Sequence, residues 1–139
     1  MYSTLLGKIQ TTLEKATTIS KIYNYPETNI EGYPAVVYMP SIFSNDFSSV
    51  TENFKIYSFT AWVIVNAESK SMSDIFGTIL PNAVDDVVKQ FDSDWSGADI
   101  SGHRCWVKID SGLWGTTDTQ DSKTGWTELN ILIKVTTDN

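Results

Sequence analysis

The sequence predicts an α+β domain: an antiparallel sheet of about four strands with helices packed on one face. Three observations carry that expectation. Apolar residues alternate with period two in several short runs, they recur at helical spacing in two others, and the order reads helix, strand, strand, helix, strand, strand. The 139 residues fit a single domain, 1–139, and 41% of them are hydrophobic. A chain of this size buries roughly two-thirds of its unfolded surface, so it needs neither metal nor disulfide to fold.

The elements follow in order. Tyr2, Leu5, Leu6, Ile9 and Leu13 share one face of a helix over residues 3–16, after which Ile19, Ile22 and Tyr23 continue as an extended piece that Pro26 stops. Pro34 opens a five-residue strand over residues 35–39, closed by Pro40. Residues 41–53, rich in Ser, Asn and Asp around Ile42, Phe43 and Phe47, read as a long loop or hairpin tip. The longest strand covers residues 54–66. Tyr57, Phe59, Ala61, Val63 and Val65 point one way, and Phe54, Ile56, Trp62 and Ile64 point the other, so both faces need cover.

Met72, Ile75, Phe76, Ile79, Leu80, Ala83, Val84, Val87, Val88 and Phe91 hold unbroken helical spacing and predict the main helix. Pro81 lies inside it and should kink or split it near Leu80. Residues 92–103 read as a loop, 104–109 as a strand, 112–125 as a polar loop around Leu113 and Trp114, and 126–135 as the last strand.

Charge and residue inventory narrow the function. Seventeen acids against ten bases give a net charge of −7, with no Lys/Arg cluster in the sequence to neutralise phosphates. No segment approaches the ~20 apolar residues of a membrane span, and the first 16 residues have no signal-peptide hydrophobic block. The chain is therefore expected to be made, and used or assembled, inside a cell.

Catalytic and metal readings find little to stand on. The lone cysteine, Cys105, lies two residues from the lone histidine, His103, so a strand would put both on one face, but no third orienting group follows. The string Asp92-Ser93-Asp94-Trp95-Ser96-Gly97 opens like a calcium loop, yet its twelfth position is His103 where a bidentate Glu belongs. No cofactor is expected. Five acids with only Lys89 over residues 85–99 read as a solvated negative face. The five tryptophans, Trp62, Trp95, Trp106, Trp114 and Trp126, suit core or subunit contacts. They also keep open a carbohydrate-binding module that stacks sugars on exposed rings.

Four local strings, in this order, resemble the tail terminator (tail-completion) proteins of long-tailed, siphovirus-like bacteriophages. After a short N-terminal helix, Glu31-Gly32-Tyr33-Pro34-Ala35-Val36 is similar to that family's entry into its first strand. Thr51-Glu52-Asn53 then leads into Lys55-Ile56-Tyr57-Ser58-Phe59-Thr60. The amphipathic helix 72–91 and its acidic loop come third, and Asp110-Ser111-Gly112-Leu113-Trp114-Gly115, followed later by Gly125-Trp126 and an alternating strand, come fourth.

The resemblance implies a non-enzymatic virion subunit. It forms a homo-oligomeric ring, a hexamer in that family, which caps the tail tube and ends its polymerisation. Its partners are then further copies of itself, the major tail tube protein and a head-completion or neck protein. DNA passes through the lumen without specific binding, and no membrane is involved. The location is the head–tail junction of the virion, after assembly in the host cytoplasm. Phe43, Phe47, Trp62 and Trp114 are the candidate subunit or tube contacts. A head–tail connector or a tail-tube subunit is the neighbouring alternative, and a small Cys105/His103 enzyme the remote one.

Overall fold

The computed structural model describes the backbone of all residues except 28, 48–51, 67–70, 119–122 and 139, and additionally leaves aside the side chains of 42–47, 52–53, 72, 111, 118 and 137–138. The chain runs α1 (Tyr2–Glu14), β1 (Lys21–Tyr23), β2 (Ala35–Phe47), β3 (Glu52–Asn66), α2 (Met72–Asp74), a π-helical turn (Ile75–Ile79), α3 (Leu80–Asp94), β4 (Ala98–Ile100), β5 (His103–Asp118) and β6 (Lys123–Asp138).

The expected fold class is overturned. The chain is mostly β, with 48% of it in strands, and its sheet is a curled, mixed half-barrel in place of a four-stranded antiparallel layer with helices on one face. The described sheet has six strands in the order β1-β2-β3-β6-β5-β4. β1 joins β2 in parallel, through Lys21↔Ala35 to Tyr23↔Val37, and every other pairing is antiparallel. β1 and β4, three residues each, are too short to show a period in the sequence.

Strand length departs furthest from the sequence reading. Residues 41–47, expected in a loop, extend β2 as far as Phe47. Residues 112–118 and 123–125, also expected in a loop, complete the β5–β6 hairpin. In both places the ladder shifts by one residue, between Pro40 and Phe43 in β2 and between Ile109 and Ser111 in β5. A bulge reverses which parity of residue faces the core, so it breaks the alternation on which a strand is recognised. Ser, Thr, Asn and Gly have weak strand preference, and long-range pairing with β3 and β6 overrides it here.

The core lies between the sheet and α1 with α3. Tyr57, Phe59, Ala61, Val63 and Val65 of β3 and Leu129, Ile131, Ile133 and Val135 of β6 are all buried. They form one cluster with Leu5, Ile9 and Leu13 of α1 and Leu80, Ala83, Val84, Val87 and Phe91 of α3. This follows from the spacing, because each helix turns one apolar stripe toward the one side of the sheet that is uniformly apolar. Each large side chain in this cluster contributes on the order of 1.5–3 kcal/mol as an upper estimate.

Polar contacts fix how the helices sit. The Trp95 indole Nε1 donates to Thr12 Oγ1 at 2.9 Å, inside the core. The Thr12 hydroxyl donates onward to Asp94 Oδ2 at 3.2 Å, which also accepts from Lys15 Nζ at 2.8 Å. Asp86 holds the end of the α1 connection by accepting from both the Thr18 amide and its hydroxyl. Tyr38 of β2 donates to Gln10 Oε1 of α1 at 2.7 Å. Pro81, at the second residue of α3, follows directly on the π-helical turn. The turn carries the helical run past a residue that has no N–H to donate.

Candidate functional site

The side of the sheet away from α1 and α3, here the open face, carries large apolar groups that no described helix covers. On β3 it presents Phe54, Ile56, Trp62 and Ile64, all of intermediate burial, and on β6 Trp126 and Leu132, also intermediate. Register brings these residues together. Ile64 pairs with Trp126, and Trp62 pairs with Glu128, so two aromatic rings from well-separated parts of the sequence share one patch.

At the end of the sheet where β2 begins, the patch deepens into a groove of about 430 Å³. Ile30, Tyr33, Trp62, Ile64, Thr117, Thr124 and Trp126 line it. Trp126 is seated there by its cross-strand partner, Gly115. Its ring occupies the volume that a Cβ at Gly115 would take, so a side chain at 115 must displace the indole. On the other side of the same ladder, a Cβ at Gly125 would meet Ile75 Cγ2 at 2.8 Å, so this glycine lets the π-helical turn close onto the sheet. The Gly125-Trp126 step thus sets two surfaces at once.

Toward the opposite end the open face is mixed. Lys134 Nζ lies 4.3 Å from the centre of the Phe54 ring, and Trp106 pairs with Lys134. Lys108 Nζ bonds Asp110 Oδ1 at 3.3 Å, with the lysine side chain 72% exposed. That pair is solvated and contributes little.

The candidates named from the sequence separate. Trp62 lines the groove. Trp114 pairs with Thr127, a buried residue on the helix side, because the bulge at Asp110 reverses the parity of β5. It is nonetheless 46% exposed. Its neighbour Leu113, 59% exposed, pairs with Glu128 and so faces the open side. Phe43 and Phe47 occupy β2 opposite Tyr57 and Asn53, and their side chains lie outside the described residues. Trp126, Tyr33 and Ile30 were not among the candidates. For Trp126 a signal existed: it opens an alternating strand in which even-numbered residues face away from the core.

The two chemical readings meet geometric obstacles. Cys105 is fully buried, and burial pushes its thiol above the usual range. Its Sγ contacts the backbone carbonyl of His103 at 3.7 Å, while His103 Nδ1 lies 3.0 Å from the Thr136 carbonyl. The pair therefore shares neighbouring positions without a thiol–imidazole hydrogen bond between them. In the calcium-like string, Asp92 and Asp94 belong to the last turn of α3, Asp94 is held by Lys15 and Thr12, and Trp95 is buried. Among the described residues no group of three or more His, Cys, Asp or Glu is placed to hold a metal ion. No described helix is long and apolar enough to cross a membrane.

No protein-family model matches this chain, and a comparison with curated proteins finds no match either.

Proposed function

We propose that this protein is a structural subunit of a phage tail, assembling with copies of itself into a ring that caps the tail tube. The cap stops further tube growth and joins the tail to a neck or head-completion protein at the head–tail junction. The reading assigns no catalysis and no cofactor. Two things support it: the ordered strings that resemble the tail terminator family, and the open face of the sheet. That face is the single observation that carries it. Trp62, Ile64, Trp126 and Leu113 form an apolar surface that the chain itself leaves partly wet, and covering such a surface with identical copies is the commonest solution. The net charge of −7 suits a lumen through which DNA passes without sticking.

The test is native mass measurement over a concentration series, alone and with a tail-tube protein. The expected result is a discrete closed oligomer. A strict monomer in both conditions refutes the proposal, and open-ended filaments would instead favour a tube subunit.

A second reading has one observation in its favour. The groove between Trp62, Trp126 and Tyr33 has stacking faces flanked by the hydroxyls of Thr117 and Thr124, as a sugar site requires. Quenching of tryptophan fluorescence by oligosaccharides, with the protein remaining monomeric, would select it.

A further inference from the structure

Among the described residues the sheet has two open edges, one on each side. β1 covers β2 only at Ala35–Val37, and among the described residues no strand lies beyond Tyr38–Phe47. β4 covers β5 only at His103–Cys105, which leaves Trp106–Asp118 open in the same way. Unpaired backbone amides and carbonyls along such edges are templates for another strand. Each edge is shielded near its middle, by Pro40 and a bulge in β2 and by Lys108, Asp110 and a bulge in β5. Beyond the bulges the shielding ends. Phe43–Phe47 carries one charge, Asp46, and Gly112–Thr117 carries none; neither segment contains proline.

We infer that these two segments are partners: Phe43–Phe47 of one copy pairs with Gly112–Thr117 of the next, continuing the sheet from subunit to subunit. The inference rests on the ring reading and specifies its contact. A second copy is the occupant because the chain itself supplies both halves, on opposite sides of one sheet and of nearly equal length. Such a contact is heterologous, as ring closure requires.

The register constrains how the copies meet. β2 and β5 run in opposite directions within the sheet, so neighbours that share one orientation along a ring axis pair in antiparallel fashion. The middle of the first segment, Asn45, is level with Lys55, while Trp114 in the second is level with Thr127 and through it with Val63. Eight residues separate those levels, about 27 Å at ~3.4 Å per residue. The four strands β2, β3, β6 and β5 that run from one segment to the other span about 19 Å at ~4.8 Å each. Joining the segments therefore inclines the strands by roughly 55° to the ring axis, steeper than the 35–45° of a closed barrel. This tilt does not depend on the number of copies.

The experiment introduces Phe43→Cys and Thr116→Cys, which lie on the same face of the sheet, together into the full chain in a Cys105→Ala background, followed by mild oxidation and non-reducing electrophoresis. The expected result is a ladder of cross-linked species that stops at one size, equal to the native oligomer by mass. Each single-cysteine variant should stay uncross-linked. Dimers from Thr116→Cys alone would show β5 pairing with itself and overturn the assignment, as would a ladder without end. A second pair, Asp46→Cys with Leu113→Cys, both on the open face, covers failure of the first to fold, which circular dichroism reports. A ring by mass in which neither folded pair cross-links sinks the edge assignment and leaves the ring reading standing. A monomer by mass with no cross-link, both alone and with a tail-tube protein, sinks both.

Discussion

Trp95→Phe isolates the contact that locks α1 to the end of α3. Trp95 is fully buried, its ring stacks on Phe91 with centroids 6.2 Å apart, and its indole N–H is satisfied by Thr12. Phenylalanine keeps the stack and removes both the hydrogen bond and part of the ring. Loss of the bond costs about 1 kcal/mol net. The unfilled volume adds about 1–2 kcal/mol. Lys8, 5.2 Å from the indole centroid, adds at most ~0.5 kcal/mol because it is near solvent. The expected destabilisation is therefore about 2–3 kcal/mol, read as a lower urea midpoint at unchanged m. Thr12→Val strands the indole donor in the core and should cost about 1–3 kcal/mol. In the double variant the two losses should fall short of their sum by about 1 kcal/mol, since the second substitution removes a bond already broken. Additive losses, or a Trp95→Phe cost under ~0.5 kcal/mol, would refute the idea that this bond couples the helices.

Other expectations are simpler to check. Gly115→Val should displace the Trp126 indole from its seat, destabilise the chain by about 1–3 kcal/mol and shift tryptophan emission, whereas the same change at Gly7, where nothing lies within 4 Å of an added Cβ, should leave emission unchanged. Cys105 should resist thiol reagents at pH 8 until urea unfolds the chain, because burial both blocks access and disfavours the thiolate. The hydrogen bond from Lys15 holds the Asp94 carboxyl below its usual range, and for Asp86 the Thr18 hydrogen bonds outweigh the opposing effect of burial. Both carboxyls are thus lower in the folded chain, so their stabilisation is present above the ordinary value of 3.8 and is lost as pH falls through the folded value. Asp94→Asn should remove a few tenths to about 1 kcal/mol at pH 7 and flatten the acid limb of the stability curve. Little change near pH 3 would agree with this, and equal loss at both pH values would contradict it.

Several features were legible because local periodicity is a local property. The stripe Leu5, Ile9, Leu13 and the run from Ile75 to Phe91 mark helices wherever they occur, and α1 and the helical run ending in α3 stand there. The alternation from Tyr57 to Val65 and from Leu129 to Val135 marks the buried side of two strands, and these residues are buried. The same alternation showed that β3 is apolar on both sides.

What only the tertiary structure decided is everything that depends on pairing at a distance. The sequence by itself determined where helices and central strands form and which of their sides turn inward, since 3.6- and 2-residue periods need no partner to be recognised. It did not determine that Ser41–Phe47 and Gly112–Asp118 are strands, because their own preference is weak and only β3 and β6 hold them extended. Nor did it determine that Trp62 and Trp126 face one groove while Trp114 turns to the other side: that follows from register and from one unpaired residue at Asp110, whose insertion reverses every side chain after it.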